Sequence, residues 1–297
     1  MPGYYRVVGF IKNDNGEAES AKSKPIFLNP TSVTKNNYSA IDSQERAYIL
    51  RGSHWNFPAL FYPSNDSNAL FVMLPSAVNR TKMELPVFNR WTWANKGIFP
   101  GHVLCISDPT LEFCNELQIG WLIGHARKSA TIDLANFIIG LANDKGIPHD
   151  KIVFYGSSAG GFASLALAAN VEGSIAIAIN AQTDILSFDM QTQVNLVKKH
   201  CFDGASASDI SQEYTQQVNM IKRWANVKNS RVLLVQNVLD THHYDIHFKP
   251  FWKSLGGSST LGISSSGPNT SLIYRQEGGH IPETEDMAKD IISLLRF

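Results

Sequence analysis

The sequence predicts an α/β fold built around a mostly parallel sheet. Three observations carry this. Short apolar runs alternate with stretches of helical periodicity along most of the chain. One run passes through Gly156-Ser157-Ser158-Ala159-Gly160 straight into an Ala- and Leu-rich segment that favours helix. An aspartate, Asp240, and a histidine, His280, stand just past the ends of two later runs. Strands that are apolar throughout are those covered on both faces, the condition of a parallel sheet between helical layers.

Taken in order, residues 1–65 read as a β-rich, polar N-terminal extension. Residues 4–11 and 46–51 are strand-like, and the Asn-, Ser-, Lys- and Pro-rich stretch 13–37 reads as loops. This extension is expected to add strands at one edge of the sheet. Residues 69–74 form a buried strand that stops at Pro75-Ser76-Ala77. Residues 83–99 carry Phe88, Arg90, Trp91, Trp93 and Phe99 in irregular chain, and 102–107 form the next strand. A helix over 129–145 ends at Gly146-Ile147-Pro148, and the strand 152–155 leads into the Ser158 turn. After a strand at 174–180, helices over 192–200 and 210–227 make a small helical cap insertion, about 186–228. Residues 231–236 are a strand, 245–255 a helix, and 256–269 a Ser/Gly-rich loop. Residues 270–275 are the last strand, and 284–297 a closing helix capped by Thr284. No linker divides the 297 residues, so one domain is expected.

Composition narrows the function. Apolar content of 43%, charged content of 18% and zero net charge describe an ordinary globule. They argue against a nucleic-acid surface or an anionic membrane partner. No run approaches the roughly 18 apolar residues of a membrane span, and the N-terminus lacks a secretory signal. Three cysteines, Cys105, Cys114 and Cys201, with no C-x-x-C, suggest reduced thiols and a cytoplasmic location.

The chemistry is expected at the strand ends, where open α/β sheets bind ligands. G-x-S-x-G between a strand and a helix is the setting of a nucleophile elbow, with Ser158 as nucleophile. Side chains at 156 and 160 would crowd such a turn, hence glycine. Serine needs a base, and the base needs an acid to orient it. His280 and Asp240 fill those roles in the chain order Ser, Asp, His; Asp184, one strand earlier, is the rival acid. The Ala159 N–H is one oxyanion donor, and Ser76 or Ala77 must supply the other, because Pro75 has none. Arg90, Trp91 and Trp93 are candidates for substrate binding, against the alternative of packing under a long loop. His243 is expected to touch substrate or brace Asp240. His243 and His247 have the spacing of a metal pair on a helix, but no third ligand accompanies them, so no metal is expected.

With GSSAGG, NVLD and GGH in place, residues from about 66 onward resemble the α/β-hydrolase superfamily. That implies an α/β-hydrolase fold: a mostly parallel central sheet, helices on both faces and a small helical cap insertion. GSSAGG with NVLDTHHY and EGGH more narrowly resembles the branch containing bacterial capsule-polysaccharide O-acetyltransferases. That likeness implies a Ser158, Asp240, His280 triad, Ser76 near the oxyanion hole, and acetyl-CoA as co-substrate for acetylating a sugar hydroxyl. The leading expectation is a serine esterase with no cofactor, acting on a small-molecule ester or carbohydrate. The alternatives are the O-acetyltransferase and a catalytically silent binding module of the same fold.

Overall fold

The computed structural model describes residues 3–6, 8–12, 18–22, 26–44 and 46–295. Ten strands form the main sheet. In chain order they are β1 (Thr31–Thr34), β2 (Arg46–Arg51), β3 (Asn56–Tyr62), β4 (Leu70–Met73), β5 (His102–Ile106), β6 (Ile152–Ser157), β7 (Ile175–Ile179), β8 (Arg231–Asn237), β9 (Gly262–Ser266) and β10 (Asn269–Tyr274). Their spatial order is β9-β10-β8-β7-β6-β4-β5-β3-β2-β1. The central run from β10 to β5 is parallel throughout, in line with its apolar strands. β9 pairs antiparallel at one edge, and β3 joins β2 and β5 antiparallel near the other.

The helices are α1 (Trp91–Asn95), α2 (Ala130–Lys145), α3 (Ala159–Ala168), α4 (Gln191–Cys201), α5 (Ala207–Glu213), α6 (Thr215–Val218), α7 (Met220–Trp224), α8 (Lys249–Ser254) and α9 (Glu285–Ser293). Two apolar clusters lie on opposite faces of the sheet. One takes in α2 and α3, with Leu134, Phe137, Phe162 and Leu165. The other takes in Phe71, Val153, Tyr155, Phe99 and α9 through Ala288 and Ile291. Alternation along β6 explains the split, since Ile152 and Phe154 belong to the first cluster and Val153 and Tyr155 to the second. No helix among the described residues is long and apolar enough to cross a membrane.

The extension does add strands to one edge, as β1 to β3. It also departs from expectation. β3 (NFPALFY) was not expected, because Pro58 weakens the strand signal; Pro58 still gives its carbonyl to the Ser107 N–H at 3.0 Å. Within the stretch expected as loops, Ala18–Lys22, Ile26–Leu28 and β1 are strands; residues 13–17 and 23–25 lie outside the described residues, as does Val7 of the expected first strand. The Ser/Gly-rich stretch expected as a loop contains β9, an edge strand whose residues are exposed or half-buried, so no apolar face marks it. The single helix expected at 210–227 is three short ones, α5 to α7. Asn219 breaks it by capping α7, its side chain accepting from the Lys222 N–H at 3.0 Å. The closing helix ends at Ser293, and residues 296 and 297 are outside the described part.

Candidate active site

Ser158 sits at the carboxyl end of β6, near the middle of the sheet, with φ 53° and ψ −121°. Left-handed backbone is uncommon for a residue with a Cβ and is held here by its surroundings. Its N–H bonds the Ile179 carbonyl at 2.9 Å, and its own carbonyl accepts from Phe162 N–H at 3.1 Å. The flanking glycines have measurable reasons. A Cβ on Gly156 would lie 2.2 Å from the Gly160 carbonyl atoms, and one on Gly160 would lie 2.8 Å from the Leu74 carbonyl oxygen. The second contact brings the Leu74–Pro75 backbone against Gly160 in the first turn of α3, whose first N–H belongs to Ala159. That N–H has no partner inside its own helix. Ser76 is further held by Asn89, whose amide donates to the Ser76 hydroxyl at 2.7 Å.

Asp240 follows β8 and is buried. Each carboxylate oxygen holds one histidine: Oδ1 is 2.9 Å from His243 Nδ1, and Oδ2 is 2.5 Å from His280 Nδ1. The two imidazoles stack nearly parallel, 13° apart, with centroids 4.1 Å apart. Burial alone would raise the Asp240 pKa. The two imidazole hydrogen bonds outweigh it and hold the carboxyl well below the usual range. Desolvation lowers His243 despite the pull of Asp240, and it takes the enclosed His247 down to about 3. The His280 side chain is 41% exposed. No hydrogen bond joins His280 to Ser158 among the described residues. Ser158 Oγ instead accepts from Gln182 Nε2 at 3.0 Å. Catalytic contacts are often loose in free enzymes and tighten with substrate.

Asp184 has other partners. It accepts from the Leu186 N–H and from the Asn219 amide, tying the cap insertion together. Asp240, His243 and His280 bring ligand atoms within 4.8 Å of one another, a set able to hold a cation, but each is already bonded within the set. His247 is used elsewhere: its Nδ1 accepts from the Thr183 N–H at 3.3 Å.

The expected substrate-binding residues sit differently. Arg90 points inward. Its Nε and a terminal nitrogen lie 2.6 and 2.5 Å from Glu283 Oε1, and the terminal nitrogen donates to Ser157 Oγ at 2.8 Å. Its side chain is 7% exposed and that of Glu283 is fully buried, so Arg90 is part of the floor under the elbow. Trp91 packs edge-on to Tyr4, and Trp93 flanks the Arg90 guanidinium at 5.9 Å. Packing, the alternative weighed for these aromatics, describes both. His243 braces Asp240 and is buried with both ring nitrogens engaged, so it has nothing to offer a substrate.

Two buried amides, at the ends of β7 and β8, tie the site's loops together. Asn237 donates to the Gln276 and Gly279 carbonyls at 2.7 and 2.9 Å and accepts from the Leu239 N–H, so it staples the Asp240 loop to the His280 loop. Asn180 does the same between β7 and β8, accepting from the Asn237 N–H at 2.8 Å. The one available signal was a buried amide ending each apolar strand: SIAIAIN and RVLLVQN.

A parallel sheet with a serine on a left-handed strand-to-helix turn, and an acid and a histidine beyond later strands, decides the fold. It is the α/β-hydrolase fold. No family model matches the chain, and no curated protein matches it. Solved structures do. The capsule O-acetyltransferase of Neisseria meningitidis serogroup A superposes with a TM-score of 0.61 at 12% identity, covering 87% of this chain and 97% of that one. The Glycosylation Associate Protein (Gap123) complex from Streptococcus agalactiae gives 0.58 at 12% identity, covering 84% of this chain and 45% of that one. Pyrococcus horikoshii acylaminoacyl peptidase gives 0.54 at 12%, covering 93% and 44%. The α/β-hydrolase neighbours thus include hydrolases and an acetyltransferase, and the likeness is one of fold.

Proposed function

We propose that this protein is a serine enzyme of esterase type, moving acyl groups through Ser158 with His280 as base and Asp240 as the acid that orients it. The observation that carries the reading is the strained Ser158 turn with the His280–Asp240 pair beyond neighbouring strands. In the reaction, the Ser158 proton passes to His280 Nε2 while Oγ bonds the acyl carbon, and the carbonyl pair moves onto oxygen. Ala159 N–H and an N–H of Ser76 or Ala77 receive that oxyanion; each donor is worth about 2.7–4 kcal/mol of transition-state stabilisation. The oxyanion collapses, the leaving group takes the proton from His280, and an acyl-enzyme remains. Asp240 stays ionised and stabilises the imidazolium.

One observation favours O-acetyl transfer to a carbohydrate as the second reading. The acetyltransferase is matched over 97% of its length, whereas the acylaminoacyl peptidase is matched over 44%. In that case acetyl-CoA loads Ser158 and a sugar hydroxyl, deprotonated by His280, resolves the acyl-enzyme.

A fluorophosphonate probe and p-nitrophenyl acetate test the first reading. Wild type is expected to label at Ser158 and turn over the ester, and Ser158→Ala to do neither. Wild-type protein inert to both would reject the enzyme and leave the binding-module reading. Loading from acetyl-CoA followed by glycan-accelerated deacylation would establish transfer, and deacylation by water alone would establish hydrolysis.

A further inference from the structure

Ser158 is held by a side chain that no motif singles out. Gln182 lies just beyond β7 and is fully buried. Its amide has one possible orientation. Trp121 Nε1, a donor only, is 3.1 Å from Oε1, so that atom must be the oxygen. The amide nitrogen then faces the other way, 3.0 Å from Ser158 Oγ and 2.6 Å from His243 Nε2. It carries two hydrogens, one for each neighbour.

This fixes the state of His243. Its Nε2 receives a hydrogen and must bear a lone pair. Its Nδ1 faces Asp240 Oδ1, an acceptor, and must bear the proton. Protonating Nε2 would set two donors head to head at 2.6 Å. His280 also donates through Nδ1 to Asp240, and no side-chain hydrogen bond to its Nε2 is present among the described residues.

We infer that Gln182 is a catalytic residue that donates to Ser158 Oγ during attack, and that His243 is a positioning residue locked neutral, leaving His280 as the one histidine on Asp240 able to take the serine proton. The inference rests on the acyl-transfer reading of Ser158. It also accounts for every direction around the hydroxyl. One lone pair is tied to Gln182, the hydrogen goes to His280, and the second lone pair bonds the acyl carbon. Gln182 keeps both its hydrogens throughout; it relays no proton and offsets charge as it builds on Oγ. His243 is packed against Asp240, His280, His242 and His247, of which only Asp240 favours its charged form. A charged His243 would neutralise Asp240 and weaken its hold on the His280 imidazolium.

The test uses the full-length protein. Gln182→Met keeps the length and removes both donors. Its rate of fluorophosphonate labelling at Ser158 should fall about tenfold, the worth of one hydrogen bond held through the transition state. Gln182→Glu keeps an acceptor for Trp121 but presents an acceptor to His243 Nε2. It should let His243 become charged and add a second ionisation to the pH profile of labelling. Imidazole 15N spectra of the wild type need no variant: His243, assigned from its absence in His243→Gln, should remain the Nδ1–H tautomer from pH 5 to 8. A His243 that titrates over that range, or a folded Gln182→Met that labels at the wild-type rate, overturns the inference and leaves the Ser158 reading intact. Wild type that never labels overturns both.

Discussion

Glu283→Gln isolates one charge beneath the elbow. Arg90 approaches Glu283 Oε1 with two nitrogens, at 2.6 and 2.5 Å, and both side chains are out of solvent. Removing the negative charge leaves a buried guanidinium with Ser157 Oγ at 2.8 Å and the Tyr155 and Trp93 rings at 5.0 and 5.9 Å, none of them charged. Breaking such a buried pair from one side costs about 3–5 kcal/mol; the glutamine keeps the shape and the acceptor oxygen, so about 3 kcal/mol is expected. In a chain of this size that corresponds to a Tm lower by about 5 °C. Glu283 lies three positions after His280 and Arg90 bonds the residue before Ser158, so the labelling rate should fall as well. Thermal unfolding of Glu283→Gln, Arg90→Met and the double variant forms a cycle, and the double should be more stable than the sum of the single losses implies. A Glu283→Gln that melts with the wild type, or losses that simply add, would refute this account of the floor.

Asp240→Asn should lower kcat about 10⁴-fold, the scale seen when a triad acid loses its charge, while Asp184→Asn should leave kcat near wild type; steady-state ester hydrolysis compares them. Gly160→Ala should be poorly folded or inactive, because its Cβ meets the Leu74 and Pro75 carbonyl oxygens at 2.8 and 3.0 Å; circular dichroism and probe labelling distinguish the two. His247, held to about 3 from an ordinary 6.5, binds no proton in the native state where the unfolded chain does. Its stabilisation is full above pH 6.5 and drains as pH falls toward 3, by about 1.4 kcal/mol per pH unit at most. Urea midpoints should therefore drop between pH 7 and 5, and the drop should shrink in His247→Gln.

The central strands were legible because covering both faces makes them apolar, as at 69–74, 152–155 and 231–236. Strand ends were legible for the same reason, and with them Ser158, Asp240 and His280. What stayed hidden depends on partners distant in sequence. Arg90 reads as a ligand-binding side chain until Glu283 is found against it, 193 positions on. Gln182 has an ordinary neighbourhood in sequence; its role comes from Trp121, Ser158 and His243 converging on one amide. β9 hid in serines and glycines because an edge strand can satisfy its backbone without apolar side chains.

The Arg90–Glu283 pair should also order events during synthesis. The chain is made from its N-terminus, and Arg90 is complete long before its counterion exists. Until Glu283 emerges, closing β4, β5 and β6 over that guanidinium would strand a bare charge in the interior, so the nascent floor stays open to water. Asp240 likewise waits 40 positions for His280. Contacts of such range make for slow, late closure. A ribosome-bound or C-terminally clipped chain ending before residue 283 should hold the Ser158 motif yet lack a working nucleophile, which ties competence to the arrival of Glu283.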